Sequence, residues 1–330
     1  MTVGEDFLQL TDPLRRELLA HCYRMTGSVH DAEDLVQETY LRAWRAYDGF
    51  EGRSSVRTWL YRIATTRCLT ALDQRGRRPL PTGLGSPDAE GAEPLAEALD
   101  LPWLEPVPDA TVGADGRDPA TVVTSRESIR LALVAALQYL PPRQRAVLIL
   151  RDVLQWRAAE VAEVLDTTTT AVNSILQRAR AQLAQAAPSE EALAEPDERT
   201  QRELLDRYVS AFESYDLDAI VSLFTEDAVF EMPPYPGWFR GRENIRRLTV
   251  THCPVSGPGD LRLVPCAANG QPAFAAYLRD PEGGPHRAFA IHVLTLRPDG
   301  ISRTVQFFDL ALFGVFGLQE TLPEAVAPQK

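Results

Sequence analysis

The chain has 330 residues, enough for two or three domains. Hydrophobic residues make up 45% and charged residues 24%, an ordinary globular balance, and no apolar run reaches the length of a membrane span, so no membrane partner is expected. The acidic start MTVGEDFLQL lacks a basic leader, and Cys22, Cys68, Cys253 and Cys266 lack C-x-x-C spacing; no signal peptide, metal site or disulfide framework is expected, and a cytoplasmic setting is.

The net charge of −12 excludes a nonspecific polycation, but it is unevenly spread. Residues 1–78 carry 12 Arg against 11 acids and residues 125–186 carry 8 against 5, whereas 79–124 carry 1 against 9 and 187–330 carry 13 basic groups against 21 acids. The two segments with a positive balance are those that the patterns below assign to nucleic acid.

Residues 7–78 read as all-helical. Ser28-Val-His-Asp31 resembles a capping box ahead of a helix from about Asp31 to Tyr47, with Leu35, Val36, Tyr40, Leu41 and Trp44 as its apolar positions. Asp31, Glu33, Asp34 and Glu38 either complement the helix dipole or form an acidic docking face. A glycine-punctuated loop, DGFEGRSS, leads to a second helix whose inner side carries Trp59, Leu60, Ile63, Ala64, Leu69 and Leu72. Its Arg57, Arg62, Arg67, Arg75, Arg77 and Arg78, beside Trp59 and Tyr61, suit phosphate neutralisation with base stacking on single-stranded DNA, or a solvated basic face.

Residues 79–124 hold eight prolines, five glycines and nine acids, which predicts a linker unable to fold alone. Thr124-Ser-Arg-Glu127 then caps a helix with Ile129, Leu133, Leu137 and Leu140 inward. From Pro141 to Leu183 the spacing predicts three helices, the last two spaced as a helix-turn-helix. Pro142 suits a first helical turn, Ala159, Val161, Ala162 and Leu165 form a short stripe, and Asp166 to Thr170 supply turn and cap chemistry. Val172, Ile175, Leu176, Ala179 and Leu183 face inward; Thr170, Asn173, Ser174, Gln177, Arg178 and Ala181 face outward, with Arg180 as a further cation. Amide and guanidinium groups on a second helix are what major-groove reading requires.

DAEDLVQETYLRAW, SSVRTWLYRIATTRCLTAL and LPPRQRAVLILRDV…AVNSILQRARAQL, in that order, resemble an extracytoplasmic-function sigma factor of the sigma-70 family. The resemblance implies region 2 over 7–78, for core polymerase binding and −10 recognition and melting, and region 4 over 125–186, for the −35 element. It implies RNA polymerase core as partner, through the β′ coiled coil and the β flap, with promoter DNA and an anti-sigma factor as further candidates. The implied core-binding residues are Asp34, Leu35, Gln37, Glu38, Leu41 and Trp44. The implied DNA-binding residues are Ser54, Ser55, Arg57, Trp59, Arg62, Arg67, Arg77, Arg78, Thr170, Asn173, Ser174, Gln177, Arg178 and Arg180. Thr66 departs from the Asn frequent in relatives.

After a second linker, 186–196, the pattern changes: two amphipathic helices, a strand at 228–232, a helix from 241, and β-like runs at 261–268, 272–279, 286–297 and 301–310. Asn269-Gly270, Pro281-Glu-Gly-Gly and Pro298-Asp-Gly mark hairpin turns, which predicts helices over an antiparallel curved sheet. FTEDAVFEMPP…WFRGRENI resembles SnoaL-like, polyketide-cyclase-like domains, and that domain is placed at 198–318. Sigma factors of the SigG and SigJ types carry such a C-terminal extension, and the whole chain most resembles the SigG type.

The expected class is thus multidomain: two all-α sigma domains, the second a helix-turn-helix, then an α+β cone-shaped domain that modulates activity in cis. Its candidate pocket residues are Tyr208, Asp227, Glu231, Trp238, Tyr277, His292 and Asp309, able to receive a small-molecule ligand. An inward His292 with Asp309 would make an acid–base pair; structural roles for both stay open. No cofactor and no catalysis are expected. The competing readings are a helix-turn-helix regulator acting without polymerase and an enzyme with a DNA-targeting arm.

Overall fold

A computed structural model describes residues 3–73, 76–87, 95–113, 127–186, 195–280 and 283–322. Arg75, the expected cap at 124–126, the Pro281-Glu282 turn, residues 88–94 and 114–124 of the first linker and 187–194 of the second lie outside these residues. Among the described residues no helix is long and apolar enough to cross a membrane. The chain divides into two compact units, 1–78 with 104–188 and 79–103 with 189–330.

The first unit is helical. α1 (Val3–Thr11), α2 (Arg15–Thr26), α3 (Val29–Ala46) and α4 (Val56–Asp73) form one bundle. α5 (Leu131–Leu137), α6 (Pro142–Leu148), α7 (Ala158–Val164) and α8 (Thr169–Ala186) form the other part, with a π-turn at Ile149–Val153 closing α6. Gly27, at φ 71, ends α2 in the left-handed conformation that glycine adopts without a Cβ penalty. Ser28 caps α3 as the sequence predicts, its Oγ accepting from Asp31 N at 3.1 Å. The reciprocal half of the box is not Asp31. Glu105, 77 residues away, accepts from Ser28 Oγ at 2.8 Å and from Val29 N at 3.0 Å. The Asp31 carboxylate instead receives Arg78 at 2.6 Å.

Two buried arginines join the helical parts. Arg24 donates to Ser128 Oγ at 2.7 Å, and Arg145 donates to Met25 O, to Gln138 Oε1 at 2.7 Å and to Leu140 O at 3.1 Å. Burial brings both guanidinium pKa values down to about 10, so both stay charged at neutral pH. Trp156, in the turn before α7, tilts against Tyr61 of α4 with centroids 5.0 Å apart, and Arg57 lies over both rings.

The second unit is α+β. α9 (Glu198–Glu213), α10 (Leu217–Ser222) and α11 (Arg242–His252) pack with a sheet of β1 (Phe224–Met232), β2 (Tyr235–Arg240), β3 (Leu261–Ala268), β4 (Gln271–Arg279), β5 (His286–Arg297) and β6 (Gly300–Phe307). The order is β2-β1-β6-β5-β4-β3, with a short β7 (Thr321–Leu322) on β5. The sheet is mixed rather than antiparallel as expected, because β1 pairs β6 in parallel. β2, which the sequence reading missed, is short and holds both Pro236 and Gly237, weak strand formers. The last strand stops at Phe307 and gives way to a short helix, α12 (Ala311–Val315).

The linker is not simply a tether. Residues 80–85 lie along β1 and β2, with Leu80 and Pro81 buried. Thr82 donates its N–H to Glu231 at 2.8 Å, while Arg303 spans Glu231 Oε2 at 2.6 Å and Thr82 Oγ1 at 2.9 Å. Trp238 Nε1 donates to Gly85 O at 3.0 Å. Further on, Ala98 N donates to Pro234 O at 2.9 Å and the Tyr235 hydroxyl to Glu97 at 3.1 Å. Low hydrophobicity forbids this segment a core of its own, and it uses a neighbouring one.

Two measurements test this packing. Gly300 sits at φ 141, and a Cβ there would lie 2.6 Å from Leu223 O, so Gly300→Ala should destabilise the C-terminal domain by about 2–4 kcal/mol in urea unfolding. Each unit also buries one neutral histidine, His21 and His292, whose pKa burial pulls down to about 3. The unfolded value is about 6.5, so their stabilising contribution is complete above pH 6.5 and falls by about 1.4 kcal/mol per pH unit for each group as pH drops toward 5. Unfolding midpoints at pH 7.5, 6.5 and 5.5 check this, and His292→Gln should flatten the slope for its domain.

Candidate nucleic-acid and pocket sites

α3 presents a mixed face. Asp34 and Gln37 are exposed, and Leu41 (57%) and Trp44 (46%) are unusually open for large apolar side chains. Trp44 is held edge-on by Phe7 at 5.3 Å. Glu38 receives Arg42 at 3.0 Å and Arg67 at 3.0 Å; partial burial disfavours its charge, but these bonds outweigh that and hold its carboxyl below the usual range. Leu35 points the other way, into the bundle core, where no partner can reach it.

α4 and α3 together line an open groove of about 600 Å³ with Arg42, Arg45, Trp59, Arg62, Thr66 and Arg67. Trp59 is partly exposed and stacks on Phe50 at 4.6 Å, which presents its ring in a fixed plane. A cationic groove with a preset aromatic ring can track a phosphate backbone and stack a base. Ser54 and Ser55 border α4 at its start, where Ser55 Oγ caps Thr58 N at 3.0 Å. Arg42 and Arg45 were missed from sequence because they lie on the neighbouring helix, next to acids that suggested protein docking.

Several expected DNA contacts are already engaged. Arg57 pairs with Glu17 at 2.9 Å, and Tyr61, expected to be available for stacking, is fully buried. Arg78 pairs with Asp31 and lies 3.7 Å from Glu105, so it closes a structural ion cluster rather than facing DNA. Arg77 stacks on Tyr139 at 4.2 Å. The inner side of α4 is Leu60, Tyr61, Ala64, Thr65 and Cys68, one step round from the expected stripe. The arginines and aromatics are interleaved so densely that either face could have been the inner one.

The helix-turn-helix geometry matches its pattern. Thr168 Oγ1 accepts from Ala171 N at 3.1 Å and caps α8, while Asp166 takes φ 49 in the turn. Val172, Leu176 and Ala179 are buried; Thr170, Asn173, Ser174, Gln177 and Arg178 are exposed along one face. Arg180 leaves that face to form a two-pronged ion pair with Asp152 at 2.7 and 2.8 Å.

In the C-terminal domain a cavity of about 310 Å³ opens between the sheet and helices α9 and α11. Of the seven expected residues only His292 lines it, with Tyr208 directly beneath, its hydroxyl 2.9 Å from His292 Nδ1. Asp309 is exposed and caps Ala311 N at 3.0 Å, so the His292–Asp309 pair does not form. Asp227 binds Arg297 at 2.7 Å on the surface. Glu231, fully buried, serves Arg303 and Thr82, and Trp238 serves Gly85. Tyr277 packs against Phe313 and donates to Gln319 O at 2.9 Å. Strand alternation could not separate these roles, because both faces of β5 are covered and Ile291, His292 and Val293 are all buried. The actual wall includes Phe230, Met232, Leu248, Phe289 and Gln306, and Leu95 from the linker segment.

Comparisons with known proteins agree with this layout. Sigma-70 region 2 matches residues 10–78, Sigma-70 region 4 matches residues 130–183 and a SnoaL-like domain matches residues 205–304. The ECF RNA polymerase sigma factor SigG of Mycobacterium tuberculosis is 58% identical over 318 residues, covering 96% of this chain and 85% of that protein. SigJ of the same organism is 31% identical over 300 residues, 87% of this chain and 86% of that protein. The crystal structure of SigJ superposes with a TM-score of 0.60 at 26% identity, covering 96% of this chain and all of that one. An acid-and-apolar face on α3, a cationic groove beside it, a helix-turn-helix and a SnoaL-like domain thus occur together and in order, and the chain belongs to the extracytoplasmic-function RNA polymerase sigma factors.

Proposed function

We propose that Asp34, Gln37, Glu38, Leu41 and Trp44 dock this sigma factor on the β′ coiled coil of core polymerase. The carrying observation is the exposure of Leu41 and Trp44 beside acids on one helix face, an apolar patch with a charged rim. The Arg42–Arg45–Arg62–Arg67 groove with Trp59 takes the melted −10 strand, and Asn173, Ser174, Gln177 and Arg178 read the −35 element in the major groove. The β flap is the partner of the region-4 part.

The two promoter elements are centred about 25 base pairs apart, about 85 Å of duplex at 3.4 Å per pair. Tyr61 of α4 and Trp156 before α7 touch at 5.0 Å. The packed helical unit therefore parts before it spans a promoter, and Trp156 leaves Arg57 and Tyr61 as it does so. The segment that joins the two parts, 79–103, is the one folded on the C-terminal domain. Through that segment the C-terminal domain modulates initiation in cis. Its pocket binds rather than catalyses: His292 is neutral and paired with a tyrosine, and no carboxylate among the described residues lines the cavity.

Run-off transcription and co-elution with purified core polymerase test the assignment. Leu41→Ala with Trp44→Ala should weaken core association at least tenfold while leaving the circular dichroism spectrum unchanged; undiminished co-elution refutes the docking face. Arg178→Ala should cost about 1–3 kcal/mol at one position of the −35 element if it reads a base. An equal loss over all sequences would make it a phosphate contact.

A further inference from the structure

The C-terminal cavity holds one polar group with nothing to bond. His292 is 2% exposed, its Nδ1 meets the Tyr208 hydroxyl, and its Nε2 has no hydrogen-bond partner. The proton on Nε2 can be assigned. Among the described residues Nδ1 is the acceptor that the Tyr208 hydroxyl meets, at 2.9 Å. The tyrosine then donates to Nδ1, and Nε2 carries the hydrogen. A buried N–H donor without an acceptor is costly, and an acceptor supplied from outside removes that cost.

The rest of the wall is mostly apolar, with Tyr235, Thr249, His252, Cys253 and Gln306 as its other polar members. Among the described residues no arginine, lysine or carboxylate lines it, so an ionic occupant would lose its hydration without meeting a permanently charged partner. One wall, Leu95, is not part of the domain's own sheet or helices. It belongs to the linker segment, which two residues later meets the cavity rim through Glu97–Tyr235 and Ala98–Pro234.

We infer that this cavity binds a neutral, largely apolar bicyclic or tricyclic molecule through one carbonyl-type acceptor on His292 Nε2–H, and that the occupant tightens the hold on the linker by packing against Leu95. This rests on the reading of the C-terminal domain as a cis-acting module. Occupancy and linker docking favour one another, since each supplies surface to the other.

The probe is PRODAN, a neutral naphthalene ketone whose emission reports hydrogen bonding at its carbonyl, titrated into the full chain. Saturable binding at one site per chain is expected. His292→Leu should raise Kd at least tenfold and shift the bound emission to the blue. Leu95→Ala, which leaves the domain core intact, should raise Kd at least threefold, while Leu99→Ala on the same segment, 75% exposed, should not. Amide exchange over residues 95–101 should slow with saturating probe. Absence of saturable binding, or equal binding by the His292 and Leu95 variants, overturns the site; unchanged exchange overturns the coupling. Core co-elution of the same preparations is scored separately, so a failure of the sigma assignment is not confused with a failure of the pocket.

Discussion

The arrangement depends on how Arg24 and Arg145 are satisfied. Both are buried cations at the junction between the region-2 and region-4 parts: Arg24 donates to the carbonyl and hydroxyl of Ser128 across it, and Arg145 to Met25 O across it and to Gln138 and Leu140 on its own side. Burying a charge costs heavily, and polar partners offset that cost without a large net gain. Such a junction has strong directional preference and modest stability. Were the parts to separate, both guanidinium groups would regain water, so less would be lost than in opening an apolar interface of the same size.

Glu105 extends the same logic along the chain. It caps α3, accepts the Tyr23 hydroxyl on its backbone carbonyl at 2.7 Å, and lies close to Arg78. One linker residue therefore stabilises the start of the helix whose outer face carries Leu41 and Trp44. Two residues before it, the chain belongs to the other unit. The acidic, proline-rich stretch is thus divided between two cores.

The pocket gains its character from what surrounds it. Tyr208 occupies His292's other nitrogen, and burial pulls the ring's pKa down to about 3. The expected Asp309 partner would have made a general base; the actual partner is the Tyr208 hydroxyl.

Local pattern determined much of this protein. The inward stripe and capped turn of the helix-turn-helix and the Asn269-Gly270 hairpin depend on neighbours a few residues apart, and both were legible in the sequence. Tertiary structure decided the rest, because the partners are remote. It turned Arg57 toward Glu17 and Arg78 toward Asp31, folded a supposed tether onto Glu231 and Pro234, paired β1 with β6 in parallel, and gave His292 a tyrosine instead of an aspartate. Spacing along a chain reports which side chains share a face; only packing reports what that face is set against.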